Sequence, residues 1–321
     1  MTDNTARVAA PEAGVSGARP GRVPAGALRM ARAGAKWLGV LPFGAYVALG
    51  LIAPMVAIAI AAFQRSAAGG FESSGGGGFT FANIDTALHG TYLVGLRTIL
   101  ELSVVTSIVA GVGGFLVAYA IQTARRGNVL RQVVITASGV FANFGGVPLA
   151  FLFIAALSTT GVVTGWIKDL FHFDIWNHGF TLYNAFGVFF VYMYFEIPLM
   201  VLVILPALEG LRPAWREAAS NLGARSWHYW RYVAGPVLLP SFIGCLLLLF
   251  GGAFSAYATA EALTGGTIAL TPIQIGALLN GNVLAGQENL GYALGLIMVV
   301  IIAIVMIAYT ILQRRAARWL R

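Results

Sequence analysis

Six stretches of this chain, at about residues 38–63, 93–121, 133–157, 182–208, 237–263 and 290–312, run apolar with few charges. The hydrocarbon core of a bilayer is about 30 Å thick, a distance that roughly 20 helical residues cross. Within lipid every backbone N–H and C=O must find its partner inside the segment, so runs of this length become helices. The expected fold is an all-α membrane protein with six transmembrane helices. Composition agrees, with 58% hydrophobic and 10% charged residues, against about 25% charged in soluble domains. A soluble protein this apolar would expose large sticky patches.

An even number of spans puts both termini on one side, and the basic residues indicate which. Arg7, Arg19, Arg22, Arg29, Arg32 and Lys36 precede the first span; Arg125, Arg126 and Arg131 follow the second. Arg212, Arg216, Arg225 and Arg231 follow the fourth, and Arg314, Arg315, Arg318 and Arg321 close the chain. Seventeen of the 20 basic residues therefore share one face, while the opposite loops hold Arg65 and Lys168. The positive-inside bias places that face, with both termini, in the cytoplasm. The net charge of +8 thus reads as an orientation signal, and nucleic acid is not an expected partner.

The chain divides into a basic N-terminal tail (1–37), a transmembrane domain (38–312) and a short C-terminal tail (313–321). The first tail, rich in Ala, Gly, Pro and Arg, reads as disordered and lacks the apolar core of a secretory signal. The single cysteine, Cys245, falls inside the fifth span and excludes an intrachain disulfide. The glycine-rich stretch at 67–81 has no lysine and reads as a flexible linker outside the membrane, and no GxxxxGK[ST] occurs. Trp166, Ile167, Leu170 and Phe171 recur at helical spacing and predict a short interfacial helix. Ala110 to Gly114 in span two and the Gly291/Gly295 pair offer close helix approach. Pro54, Pro148, Pro198 and Pro206 are expected to interrupt their spans.

Carboxylates inside spans are expensive and so are informative. Glu101 lies one turn after Arg97, which suits mutual neutralisation. Glu196 in span four and Glu261 near the outer end of span five are the candidates for a polar solute path, suited to a cationic solute.

Between spans four and five stands a polar segment, 213–236, too crowded for a plain turn. Pro213 suits a helix's first turn, and Gly223 suits its stop. Trp215, Ala218, Ala219 and Leu222 share one face of the intervening helix, a rod of about 15 Å. Ser226 reads as the N-cap of a second short helix, "WHYWRYV", which Gly235-Pro236 should break before span five. The pattern is a helical knob offered to the cytoplasm.

Glu217-Ala218-Ala219, three residues, Gly223, nine residues, Val233 and then Gly235-Pro236 resembles the EAA loop of binding-protein-dependent ABC importer permeases. The family pattern is EAA-x3-G-x9-I-x-LP; this chain puts Gly235 where leucine is usual. The resemblance covers about residues 92–312, and within the family the sequence looks most like the polyamine, iron and phosphonate branch. It implies a type I ABC importer permease fold and a transport subunit of the bacterial inner membrane with no chemistry or cofactor of its own. ATP would be bound by a cytoplasmic ABC ATPase dimer. The other implied partners are a second permease chain, identical or homologous, an extracytoplasmic solute-binding protein and membrane lipid. Glu217, Ala218, Ala219 and Gly223 would then couple to the ATPase. A polyamine or another small polar solute is the implied cargo. The alternatives are an ion-coupled secondary transporter, which Glu196 and Glu261 would serve, and an intramembrane enzyme. For the latter, HExxH and G-x-S-x-G are absent and Asp85, Asp169 and Asp174 are expected in the loops that join the spans.

Overall fold

The computed structural model describes residues 41–65, 78–123, 128–177, 179–280 and 287–318. The N-terminal tail, most of the glycine-rich stretch, and Arg125, Arg126 and Arg321 lie outside the described residues. The chain divides into two units, Met1–Val56 and Ala57–Arg321. Among the described residues, six helical stretches are long and apolar enough to cross a membrane.

In the first unit the described residues are the start of α1 (Leu41–Ala62). Its side chains, among them Phe43, Tyr46 and Leu49, are exposed, as lipid-facing residues are. A π-helical stretch, Ala48–Ile52, stands immediately before Ala53-Pro54, and the Ala53 N–H donates to the Ala48 carbonyl. One widened turn makes room for a proline ring that a regular turn would push against a carbonyl. The span continues through Pro54.

The second unit contains α2 (Ala82–Ala87), α3 (Gly90–Thr123), α4 (Asn128–Asn143), α5 (Val147–Leu157) and α6 (Val162–Phe171). It continues with α7 (Ala185–Glu209), α8 (Pro213–Asn221), α9 (Ser226–Ser255), α10 (Ala258–Thr264), α11 (Thr271–Leu279) and α12 (Glu288–Arg318). Helices α3 and α7 form the centre and run parallel. Gly113 and Gly114 of α3 lie against Ile197 and Met200, and further along the Gln122 amide donates to the Leu208 carbonyl at 2.8 Å. Helix α9 runs the other way, with Phe115 on Phe242 and Tyr119 on Trp230. Lipid tails are as apolar as leucine, so such helices are held by close packing rather than by escape from water. The glycines supply that closeness: a side chain at Gly111 would strike Leu246, and one at Gly114 would lie 2.7 Å from the Ile197 carbonyl.

The structure amends several sequence expectations. The third apolar run of the sequence holds two helices. Arg131 at the start of α4 pairs with Glu209 at the end of α7, and Phe141 packs on Tyr194. Phe153 of α5 then packs on Tyr194 and Phe190. The chain thus climbs α7 as α4 followed by α5, and the break between them falls at Gly146, with φ +73°. Its N–H donates to Thr259 Oγ1 at 2.9 Å, so the interruption is satisfied from α10. Pro148 sits in the first turn of α5, and α7 continues unbroken through Pro198 and Pro206. Gly291 does pack closely, against Leu278 and Leu279, but Gly295 faces open space.

A helix stands where the interfacial one is expected, as α6, with Trp166, Leu170 and Phe171 exposed, and it falls within the apolar stretch Val147–Phe171. It lies at the end of the bundle opposite α8, where α3 begins and α7 begins. Arg97 and Glu101 of α3 form the expected ion pair at 2.7 Å.

Candidate functional site

Helix α8 begins with Arg212 in an extended N-cap conformation and Pro213 in the first turn. It buries none of its residues. Its end has the hydrogen bonds of a Schellman motif: the Gly223 N–H donates to the Ser220 carbonyl at 2.9 Å and the Ala224 N–H to Ala219 at 3.0 Å. Gly223 takes φ +76° with nothing within 4 Å of where a side chain would start. The demand on this position is therefore torsional and not steric, and glycine meets it without strain. The apolar face predicted for α8 is uncovered, with Leu222 87% exposed and Trp215 36% exposed. Glu217 and Ala218 are exposed beside them.

Two expectations about the following residues need correction. Arg225, not Ser226, occupies the N-cap, and no side chain caps this helix; Ser226 is its first residue. Nor does Gly235-Pro236 break it. A second π-helical stretch, Trp230–Ala234, precedes Gly235-Pro236, and the Gly235 N–H donates to the Trp230 carbonyl. A side chain at Gly235 would begin 2.6 Å from that oxygen. The glycine that departs from the resembled pattern thus stands at the end of a widened turn, in close approach to its carbonyl. The device repeats the one at Ala53-Pro54, and the outcome is a continuous helix of 30 residues from Ser226 to Ser255.

The seat of α8 is aromatic and polar. Trp230 packs edge-on against Tyr119 and Phe115 of α3. A cavity of about 410 Å³ lies between the ends of α3 and α7, the first turns of α8 and the start of α9. Arg212 and Arg216 line it, and Glu217, Ala218, Ala219 and Gly223 do not. Sequence reasoning did not single out these two arginines, although their one-turn spacing was visible.

The candidate path carboxylates are not brought together with α8. Glu196 is fully buried in the middle of α7, and neither of its oxygens has a hydrogen-bond partner among the described residues. Glu261 does not belong to the fifth span. That helix ends at Ser255, the chain turns through Ala256, whose carbonyl accepts from the Tyr192 hydroxyl at 3.0 Å, and Glu261 stands on α10. One of its oxygens is buried without a partner. The apolar run continued past the helix end, so hydropathy could not mark the break.

The profile of the family described as "Binding-protein-dependent transport system inner membrane component" matches residues 95–318. The thiamine transport system permease protein ThiP of Escherichia coli (strain K12) is 32% identical over 107 residues, 33% of this chain and 20% of that protein. ThiP of Brucella abortus (strain 2308) is 28% identical over 221 residues, 65% of this chain and 38% of that protein. The matched stretches thus span only about a fifth to two fifths of these relatives' own lengths. Among solved structures, a chain of a bacterial ABC transporter involved in the import of the acidic polysaccharide alginate shares the fold. The TM-score is 0.70, over 90% of this chain and 98% of that one, at 18% identity.

Proposed function

The chain belongs to the family of binding-protein-dependent transport system inner membrane components, and from that premise we propose that it is the permease subunit of an ATP-binding-cassette importer, driven through α8 by a separate ATPase. The observation that carries this reading is α8 itself. It is a short helix with an uncovered apolar face and an exposed glutamate, fixed by a Schellman turn at one end of the bundle.

A partner that grips α8 gains a lever. Because α9 is unbroken, a push on the α8–α9 junction travels along a rod of roughly 45 Å, at 1.5 Å per residue. The π-helical turn at Trp230–Ala234 lies near its foot, the kind of interruption that recurs at functional sites. In this account the end bearing Arg131, Arg212, Arg216, Arg225 and Arg231 faces the cytoplasm, in keeping with the positive-inside bias. A second permease chain completes the solute path, and a solute-binding protein delivers cargo at the end bearing α6.

The relatives named for thiamine support a small organic cation as the solute, and a polyamine falls in the same class. Uptake of labelled thiamine and of a labelled polyamine by cells expressing the system tests this. Uptake of neither discards the solute class and leaves the subunit assignment standing.

The coupling claim is tested by Gly223→Val and Glu217→Ala at matched membrane levels, measuring ATPase co-purification and ATP-driven uptake. A β-branched residue at φ +76° strains the turn by about 1–2 kcal/mol, so Gly223→Val should assemble poorly or hydrolyse ATP without transport. Loss of a charge-assisted contact at Glu217, about 1.5–3 kcal/mol when well made, should weaken co-purification while leaving the turn intact. Wild-type behaviour of both variants in both assays refutes the coupling role.

A further inference from the structure

The cavity beneath α8 has a composition that coupling to an ATPase does not explain. Arg212, the N-cap residue of α8, and Arg216, one helical turn further on, line it, while Glu217 and Ala218 do not. Neither arginine has an ion-pair partner among the described residues. Glu209, the carboxylate at the end of α7, is engaged by Arg131. Arg212 rests over the Trp215 ring at 6.0 Å, which holds the guanidinium without neutralising it. The remaining wall supplies the Ser226 hydroxyl and the faces of Tyr119 and Trp230, whereas the Thr123 hydroxyl donates to the Tyr119 carbonyl at 2.9 Å. Two guanidinium forks with a hydroxyl donor, and no lining carboxylate, suit an oxyanion that accepts several hydrogen bonds at once.

We propose that this cavity is a phosphate-binding site, of the chemistry presented by an anionic phospholipid headgroup or by free phosphate. Its position suits the headgroup. It opens where three spans end, beside the exposed aromatics Trp227 and Tyr232, the residue types that mark a membrane interface. Basic pockets between spans at the cytoplasmic surface are where acidic headgroups bind. A volume of about 410 Å³ admits a phosphate with its glycerol. A bound phosphate would join α8 to the foot of α9 through charge and so brace the junction.

The test uses the full chain, purified in detergent and supplied with phosphatidylglycerol or phosphatidylcholine, with retained lipid counted by native mass spectrometry. Wild type should retain phosphatidylglycerol in preference to phosphatidylcholine. Arg212→Gln/Arg216→Gln should lose that preference by about twenty-five-fold, the product of roughly fivefold for each basic residue near the surface. Arg225→Gln/Arg231→Gln, which removes equal charge outside the cavity, should keep it. Ser226→Glu leaves both arginines in place and suits a helix's first turn, yet it puts a negative charge in the cavity and should also expel the lipid. Circular dichroism confirms that each variant is folded. In a further arm, millimolar inorganic phosphate is added. Displacement of the lipid, with the same dependence on Arg212 and Arg216, upholds the site and assigns it to free phosphate; persistence of the lipid assigns it to the headgroup. Equal retention by wild type, the Arg212/Arg216 variant and Ser226→Glu overturns the proposal, as does equal loss from both double-arginine variants.

Discussion

Helices α7 and α8 follow one another in the chain and differ in what completes them. Helix α7 is finished by the chain's own residues: Tyr192, Glu196, Met200 and Ile204 are all fully buried. Helix α8 buries none of its residues, and its Leu222 is 87% exposed. Each carries a glutamate under opposite conditions. Glu196 is closed in without a hydrogen-bond partner, so its cost falls on this chain alone. Glu217 is exposed and costs nothing until something docks. The contrast separates the residues that make the bundle from those that wait for a partner, and substitutions in the two helices should fail in different ways.

The largest effect belongs to the packed side. Gly114→Val places a side chain 2.7 Å from the Ile197 carbonyl and against Met200, and a backbone atom held in a helix cannot move aside. Overpacking costs about 1–3 kcal/mol and often more, so the yield of monodisperse chain from membranes should collapse. Gly113→Ala, one position away and at ordinary contact distance from Ile197, should purify as wild type. Equal yields for the two would erase the distinction between α7's surroundings and α8's. Gly223→Val comes next in size and should spare the yield while damaging coupling, because the space around Gly223 is open.

The smallest effect sharpens the comparison from within α7. A buried polar group without partners costs about 1–3 kcal/mol, and well-packed apolar replacements of buried charges are often stabilising. Glu196→Met should therefore raise the thermal midpoint of the purified chain. If Glu196 serves the solute path it should also lower uptake, with ATPase co-purification unchanged. A lowered midpoint would mean that Glu196 contributes to packing in a way its missing partners do not indicate.

Much of this was legible in the sequence, for reasons that also explain what was not. The six apolar runs, the stop at Gly223 and the Arg97–Glu101 pair depend on local pattern, and local pattern is what a sequence displays. The break at Gly146 and the end of the fifth span at Ser255 lay inside continuous apolar runs. There the deciding contacts, Thr259 to Gly146 and Tyr192 to Ala256, come from distant positions. The π-helical turns had a visible cause in Pro54 and Pro236, yet those prolines read equally well as breaks. Ser226 resembled a cap because serine so often is one; here the extended residue is Arg225. The cavity beneath α8 gathers Tyr119, Arg216 and Trp230 from three helices, and no spacing rule connects them.

The central claim is that α8 is the surface an ATPase grips. Cys245 is the single cysteine and is buried, so a new cysteine can be addressed alone. Ala218→Cys on α8 and Asp169→Cys on α6, at the opposite end of the bundle, are treated with a short bifunctional maleimide. The reaction is run with the ATPase that supports uptake, given a single introduced cysteine in its permease-facing groove, in proteoliposomes supplied with ATP. A cross-linked permease–ATPase product from Ala218→Cys, and none from Asp169→Cys, is the predicted result. No product from Ala218→Cys in proteoliposomes that take up solute would contradict the account.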